Sequence, residues 1–204
     1  MALADVTFKL YEDAALITQF TGPLIIEHQS DLSDGNRDYV LYFGSLSAST
    51  QLQTTVNPGV DDITITPVDI LPEWVASTAA ALDDSIEPTA GNNRRYVATT
   101  AGTTGATEPT WPTAIGSAVA DGSVIWTCVS ETHEPTEFKV ASTNAGLDAA
   151  TAGAGLALGN TLLSGSANAV EVHIRVTNTV TTLGDNSAQP EIGFNINDVT
   201  ESAQ

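Results

Sequence analysis

Apolar and polar residues alternate one by one along much of this chain. The clearest run is Val170-Glu171-Val172-His173-Ile174-Arg175-Val176, with its valines and isoleucine on one side and Glu171, His173 and Arg175 on the other. A period of two belongs to a half-buried strand, because successive side chains of an extended backbone point to opposite faces. Glu191 to Asn197, Asp62 to Thr66 and Glu137 to Val140 repeat the pattern. Val6 to Leu10, Leu24 to Glu27, Arg37 to Phe43 and Gln51 to Val56 are further strands by the same reading. Turn chemistry separates the runs, at Thr21-Gly22-Pro23, Asp34-Gly35-Asn36, Asn57-Pro58-Gly59 and Leu183-Gly184-Asp185-Asn186. Short strands spaced by such turns predict an all-β antiparallel sandwich or barrel.

Two stretches have helical composition. Val75 to Leu82 is alanine-rich but short, and helices of that length are marginal alone. Leu147 to Leu158 is interrupted by Gly153 and Gly155, which favours an irregular segment.

All three tryptophans, Trp74, Trp111 and Trp126, fall within residues 73–133. Pro67 and Pro72 precede this block and Pro135 follows it. The flanks share one texture of alternating strands, and each is small for a sandwich of its own. Residues 1–72 and 134–204 are therefore expected to form one discontinuous, immunoglobulin-like antiparallel sandwich. The small β module 73–133 is then inserted into a surface loop, where the entropy of loop closure grows only slowly with length.

Charge narrows the function classes. Asp and Glu number 25 against 6 Lys and Arg, a net charge of −19. Such a chain repels phosphate backbones and anionic lipid surfaces, so neither nucleic acid nor membrane is an expected partner. The acidity suits solubility, cations or a basic protein partner. The N-terminus reaches Asp5 without a basic region, so no signal peptide is expected. The single cysteine, Cys128, lies in the apolar run Val124 to Val129 and reads as a buried hydrophobe.

Catalytic patterns are lacking. His28, His133 and His173 sit one to a segment, outside any metal or catalytic spacing. No nucleophile elbow, phosphate loop or dinucleotide fingerprint occurs. The expectation is a protein that is not an enzyme, with no cofactor and no metal. Asp31 to Asp38 clusters oxygens around a Gly, but Tyr42 stands where an EF-hand loop needs its bidentate acid, so an ordinary turn is the simpler reading. The aromatics Trp111, Tyr96 and Trp74 are the candidate contacts for a glycan or a partner. Against this, a module so small, without disulfide or metal, needs tryptophans for its core. Trp126 alternates within a strand and reads as core.

The block also resembles a known module. Trp74-Val75-Ala76-Ser77-Thr78 is followed by Pro88-Thr89-Ala90-Gly91-Asn92 and by the run Tyr96 to Gly105. Glu108-Pro109-Thr110-Trp111-Pro112 and Asp121-Gly122-Ser123-Val124-Ile125-Trp126 close the pattern. In order and spacing this resembles a small module found repeatedly in tail, fibre and head proteins of tailed bacteriophages. The resemblance covers residues 74–129, about a quarter of the chain. That family is compared with chitin-binding-type carbohydrate modules, which implies glycan contact. The flanks resemble phage structural sandwiches more loosely, through Asp38 to Ser45, Asn57 to Asp61 and Leu158 to Val170. The resemblance implies a structural virion protein, first of all a decoration or cement protein on the outer capsid surface, assembled in the host cytoplasm. Its partners would be the major capsid protein or other virion proteins, and it would form a homo-oligomer. A tail or baseplate component and a free carbohydrate-binding module are the alternatives.

Overall fold

The computed structural model describes residues 6–21, 24, 35–132, 134–177 and 192–204. The fold is all-β, with sixteen strands among these residues. Four precede the tryptophan-bearing block: β1 (Lys9–Tyr11), β2 (Asn36–Gly44), β3 (Thr50–Thr54) and β4 (Ile63–Asp69). Six follow within it: β5 (Ala79–Ala80), β6 (Ser85–Ile86), β7 (Arg94–Thr100), β8 (Gly102–Thr103), β9 (Ala118–Asp121) and β10 (Val124–Glu131). The last six are β11 (Phe138–Ala141), β12 (Leu156–Gly159), β13 (Leu162–Leu163), β14 (Val170–Thr177), β15 (Ile192–Ile196) and β16 (Val199–Ala203). Described helical structure is limited to short 3-10 turns, as at Pro135–Glu137 and Ala145–Asp148. No helix among the described residues is long and apolar enough to cross a membrane.

Strands from both ends of the chain build the sandwich. One antiparallel sheet has the order β1-β2-β14-β11, and two three-stranded sheets run β12-β4-β15 and β13-β3-β16. The longest ladder joins β2 to β14, from Phe43 opposite Val170 to Asn36 opposite Thr177. Strand β14 keeps the alternation expected of it: Val172, Ile174 and Val176 are buried while Glu171 is exposed. Those three residues join Phe8, Phe43, Leu52, Ile63, Ile65, Phe138 and Val199 in one apolar cluster drawn from all three sheets. Burial of this apolar surface is the main force holding the sheets together.

The outward face of β14 is more engaged than a solvated face. Arg175 lies opposite Asp38 in the ladder and grips it with two hydrogen bonds, both 2.7 Å, from Nε and Nη2. It also pairs with Asp148, and Asn144 donates to Asp38. His173 pairs with Glu171 at 2.9 Å. Asp38, one of the clustered oxygens near Gly35, is thus committed to Arg175, and Gly35 adopts the positive φ (63°) of a turn. Asp31 to Asp34 lie outside the described residues, as do His28, His133 and the turn Leu183 to Asn186. Of the expected strand Leu24 to Glu27, only Leu24 is described.

Two expected strand boundaries need correction, and the reservation about a helix at Val75 to Leu82 has a structural reason. Strand β4 runs through Pro67 rather than stopping before it. The proline lies beyond Ile65, the last β4 residue paired with β12, where one side of the strand is unpartnered and the missing N–H is tolerated. Val75 to Leu82 holds no helix. Its backbone is captured by distant partners instead: Ser77 N–H donates to Gly105 O, Thr78 N–H to the Thr104 hydroxyl, and β5 pairs with β8. Ser77 also takes φ 53°, which no α-helix contains. A helix this short gains too little from its own hydrogen bonds to resist such pairing. Strand β1 begins at Lys9, not Val6, although Val6 and Phe8 are still buried in the core.

Candidate functional site

Among the described residues the strands of the block pair with one another, in the order β6-β7-β10-β9 with β5-β8 alongside. Their inward residues form a second apolar cluster, separate from the first: Ile86, Tyr96, Ala98, Val124, Trp126 and Cys128. Burial pushes the thiol pKa of Cys128 up, so it is an unreactive core residue.

Asp121 organises this module. It is 3% exposed, at the end of β9, and its carboxylate accepts three N–H groups. Trp74 Nε1 donates to Oδ2 at 2.7 Å, Trp126 Nε1 to the same oxygen at 3.0 Å, and Gly105 N–H to Oδ1 at 2.7 Å. A carboxylate oxygen accepts, and the three converging donors give both oxygens of this buried group a partner. The turn that places it requires glycine. Gly122 has φ 61°, and a Cβ there would come within 2.3 Å of Thr103 O.

A second carboxylate holds the long loop between β8 and β9. Glu108 accepts from Trp111 Nε1 at 2.8 Å and from the backbone N–H and hydroxyl of Thr89. Burial works against its ionisation, but these hydrogen bonds outweigh it and hold the carboxyl below its ordinary pKa. Further along the loop, Pro112 O accepts from the Tyr96 hydroxyl at 2.9 Å, and Thr113 O from Arg94 Nε at 2.9 Å.

The three candidate contact residues have different fates. Tyr96 is fully buried, so its ring cannot meet a surface ligand. Alternation along β7 turns it inward, and burial raises the pKa of its hydroxyl. Trp111 is half-buried. It packs on Tyr96 with ring centroids 4.5 Å apart and 46° between planes, and on Trp126 at 6.4 Å and 58°. Its remaining surface borders a shallow depression of about 390 Å³ with Pro88, Asn92 and Glu108. Trp74 is also half-buried and walls a different cleft, of about 490 Å³, whose floor includes Ile86 and Trp126. The structure therefore does not join the three into one surface. Tyr96 and Trp111 stack, while Trp74 is bonded to Asp121, which also accepts from Trp126.

Sequence reasoning missed Asp121. Its signal was the Asp-Gly turn before β10, which has the form of an ordinary hairpin corner. Among the described residues no three His, Cys, Asp or Glu side chains are grouped to hold a metal ion. Compared with protein-family models, with characterised proteins and with solved structures, the chain matches none.

Proposed function

We propose that this chain is a structural virion protein of a tailed phage, specifically a decoration or cement protein on the outer capsid surface. One observation carries the reading. The residues of the phage-like motif are spent on one another: Trp74, Gly105 and Trp126 on Asp121, and Thr89 and Trp111 on Glu108. A motif consumed by its own hydrogen bonds is a fold signature, as expected of a module reused for architecture and not for chemistry. In this reading residues 1–72 and 134–204 form the docking sandwich, on the major capsid protein or another virion protein, and 73–133 form the projecting module. Homo-oligomers would add contact surface to a chain whose one cysteine is buried and free. The net charge of −19 suits the outside of a particle, away from packaged DNA.

Gold labelling of a C-terminal tag on purified virions tests this directly. Label spread over the head supports decoration. Label confined to the tail replaces it with the tail or baseplate reading, and absence from particles overturns the virion assignment. The partly exposed Trp111 at its depression favours one second reading, contact with host glycans. A glycan array that stays silent with the intact chain removes it.

A further inference from the structure

We propose that the cleft walled by Trp74 binds a basic side chain of a partner protein, an arginine guanidinium above all. The inference rests on the cleft and not on the virion reading.

Hydrogen-bonding chemistry in this cleft is mostly accepting. Of the side-chain donors that line it, both indoles and two of the three hydroxyls are already used. Trp74 and Trp126 give their indole N–H groups to Asp121. The Thr104 hydroxyl donates to Val75 O at 2.7 Å and the Thr78 hydroxyl to Ala76 O at 3.1 Å. What remains is the Ser85 hydroxyl and the apolar surface of Trp74 and its neighbours, together with the carboxylates of Glu73, Asp83 and Asp84. All three acids are exposed, and only Asp84 is drawn inward, accepting Ala81 N–H at 2.7 Å. No Lys, Arg or His lines the cleft.

An indole surface beside unneutralised carboxylates selects a ligand that is cationic, rich in donors and partly apolar. A guanidinium meets all three needs. It stacks on an aromatic face, supplies planar donors to carboxylates and is more weakly hydrated than an ammonium. Anionic groups are repelled by the rim and by the net charge of −19. A neutral polyol would also need donors from the protein, and of the lining side chains the Ser85 hydroxyl alone is left to supply one.

The placement is local and sturdy. Trp74 is pinned through Asp121 and through its backbone N–H to Glu87 O at 2.8 Å. The turn carrying Asp83 and Asp84 is bonded to β7, Asp83 N–H to Ala98 O and Ala98 N–H to Asp84 O. The acids thus stand on a fixed rim and require no rearrangement to receive a cation.

The test is a titration of the full chain with acetyl-Gly-Arg-Gly-amide, read in ¹H–¹⁵N spectra at low salt, with the matched citrulline peptide as the neutral control. The arginine peptide should shift the Trp74 indole N–H and backbone amides within 73–84, and the citrulline peptide should not. Affinity should fall about threefold or more in Glu73→Gln/Asp83→Asn, since each exposed charge pair contributes modestly. It should also fall at about 1 M salt, where the Debye length is about 3 Å. The double variant alters exposed side chains only, and an unchanged Trp126 indole resonance shows that the module is intact. Equal shifts with citrulline, an unaffected double variant, or shifts confined elsewhere would overturn the proposal. So would a neutral chito-oligosaccharide that moves the Trp74 resonances while the arginine peptide does not.

Discussion

The indole N–H of Trp74 donates to the carboxylate of Asp121 at 2.7 Å across 47 residues of chain. This bond closes the module: it ties the segment before β5 to the corner between β9 and β10. Because Trp126 and Gly105 donate to the same side chain, one buried carboxyl group holds three segments that are distant in sequence.

Replacing Asp121 is therefore expected to be the most damaging single change in the module. Asn offers one acceptor oxygen and turns an NH₂ toward donors, so Asp121→Asn leaves buried N–H groups unmet. The expected loss is about 2–4 kcal/mol, from hydrogen bonds to a charged group worth ~1.5–3 kcal/mol each. Urea unfolding followed by tryptophan fluorescence measures it. A change below about 0.5 kcal/mol would show that the three bonds are not a unit.

Trp111→Ala should destabilise the same module by about 2–4 kcal/mol, since it removes an aromatic packed on Tyr96 and Trp126. It also leaves Glu108 without one of its donors. Trp111→Phe should cost less, keeping the ring contact and losing the N–H. If both variants retain full stability by calorimetry, Trp111 is a surface residue and its role as a lid on the core is wrong.

Acid should weaken the Asp38–Arg175 clasp. Arg175 hydrogen bonds hold the Asp38 carboxyl below its ordinary value of 3.8. A carboxylate depressed in the folded state contributes stability above its unfolded pKa, and the contribution is lost as pH falls from about 3.8 through the folded value. Asp38→Asn should thus cost about 1 kcal/mol at neutral pH, typical of a well-aligned but partly exposed pair, and nothing at strongly acid pH. Thermal melts of both proteins across that range check it; parallel curves would refute the linkage.

Asp69 and Glu134 carry the opposite sign. Burial raises both pKa values, with Glu73 adding repulsion at Asp69, and Asp69 and Glu137 adding it at Glu134. A carboxyl raised in the folded state favours folding below its unfolded pKa, and that benefit is lost as pH rises through the folded value. Glu134→Gln should consequently raise the melting temperature at pH 7, with the gain vanishing below the ordinary value of 4.5. A variant less stable than the parent at pH 7 would mean that Glu134 has a favourable partner when ionised.

Much of the strand content was legible in advance, because the face a side chain takes is a local property of an extended backbone. Alternation located β14, β4 and β15 to within a few residues, and Trp126 and Cys128 are buried as their places in the Val124 run require. Shorter strands such as β6, β9, β12 and β13 escaped, since two to four residues carry too little pattern to separate from a turn.

What the sequence determined alone, then, was the all-β class, the turn at Asn57 to Gly59 and the inward residues of the longer strands, each settled by neighbours along the chain. Tertiary structure decided which strands pair, why Val75 to Leu82 is not helical, that Tyr96 is sealed in the core, and that Trp74 and Trp111 face separate hollows. The physical reason is common to all four. Arg175 finds Asp38 across 137 residues and Trp74 finds Asp121 across 47, and a hydrogen-bond partner that distant leaves no mark on the local pattern of either residue.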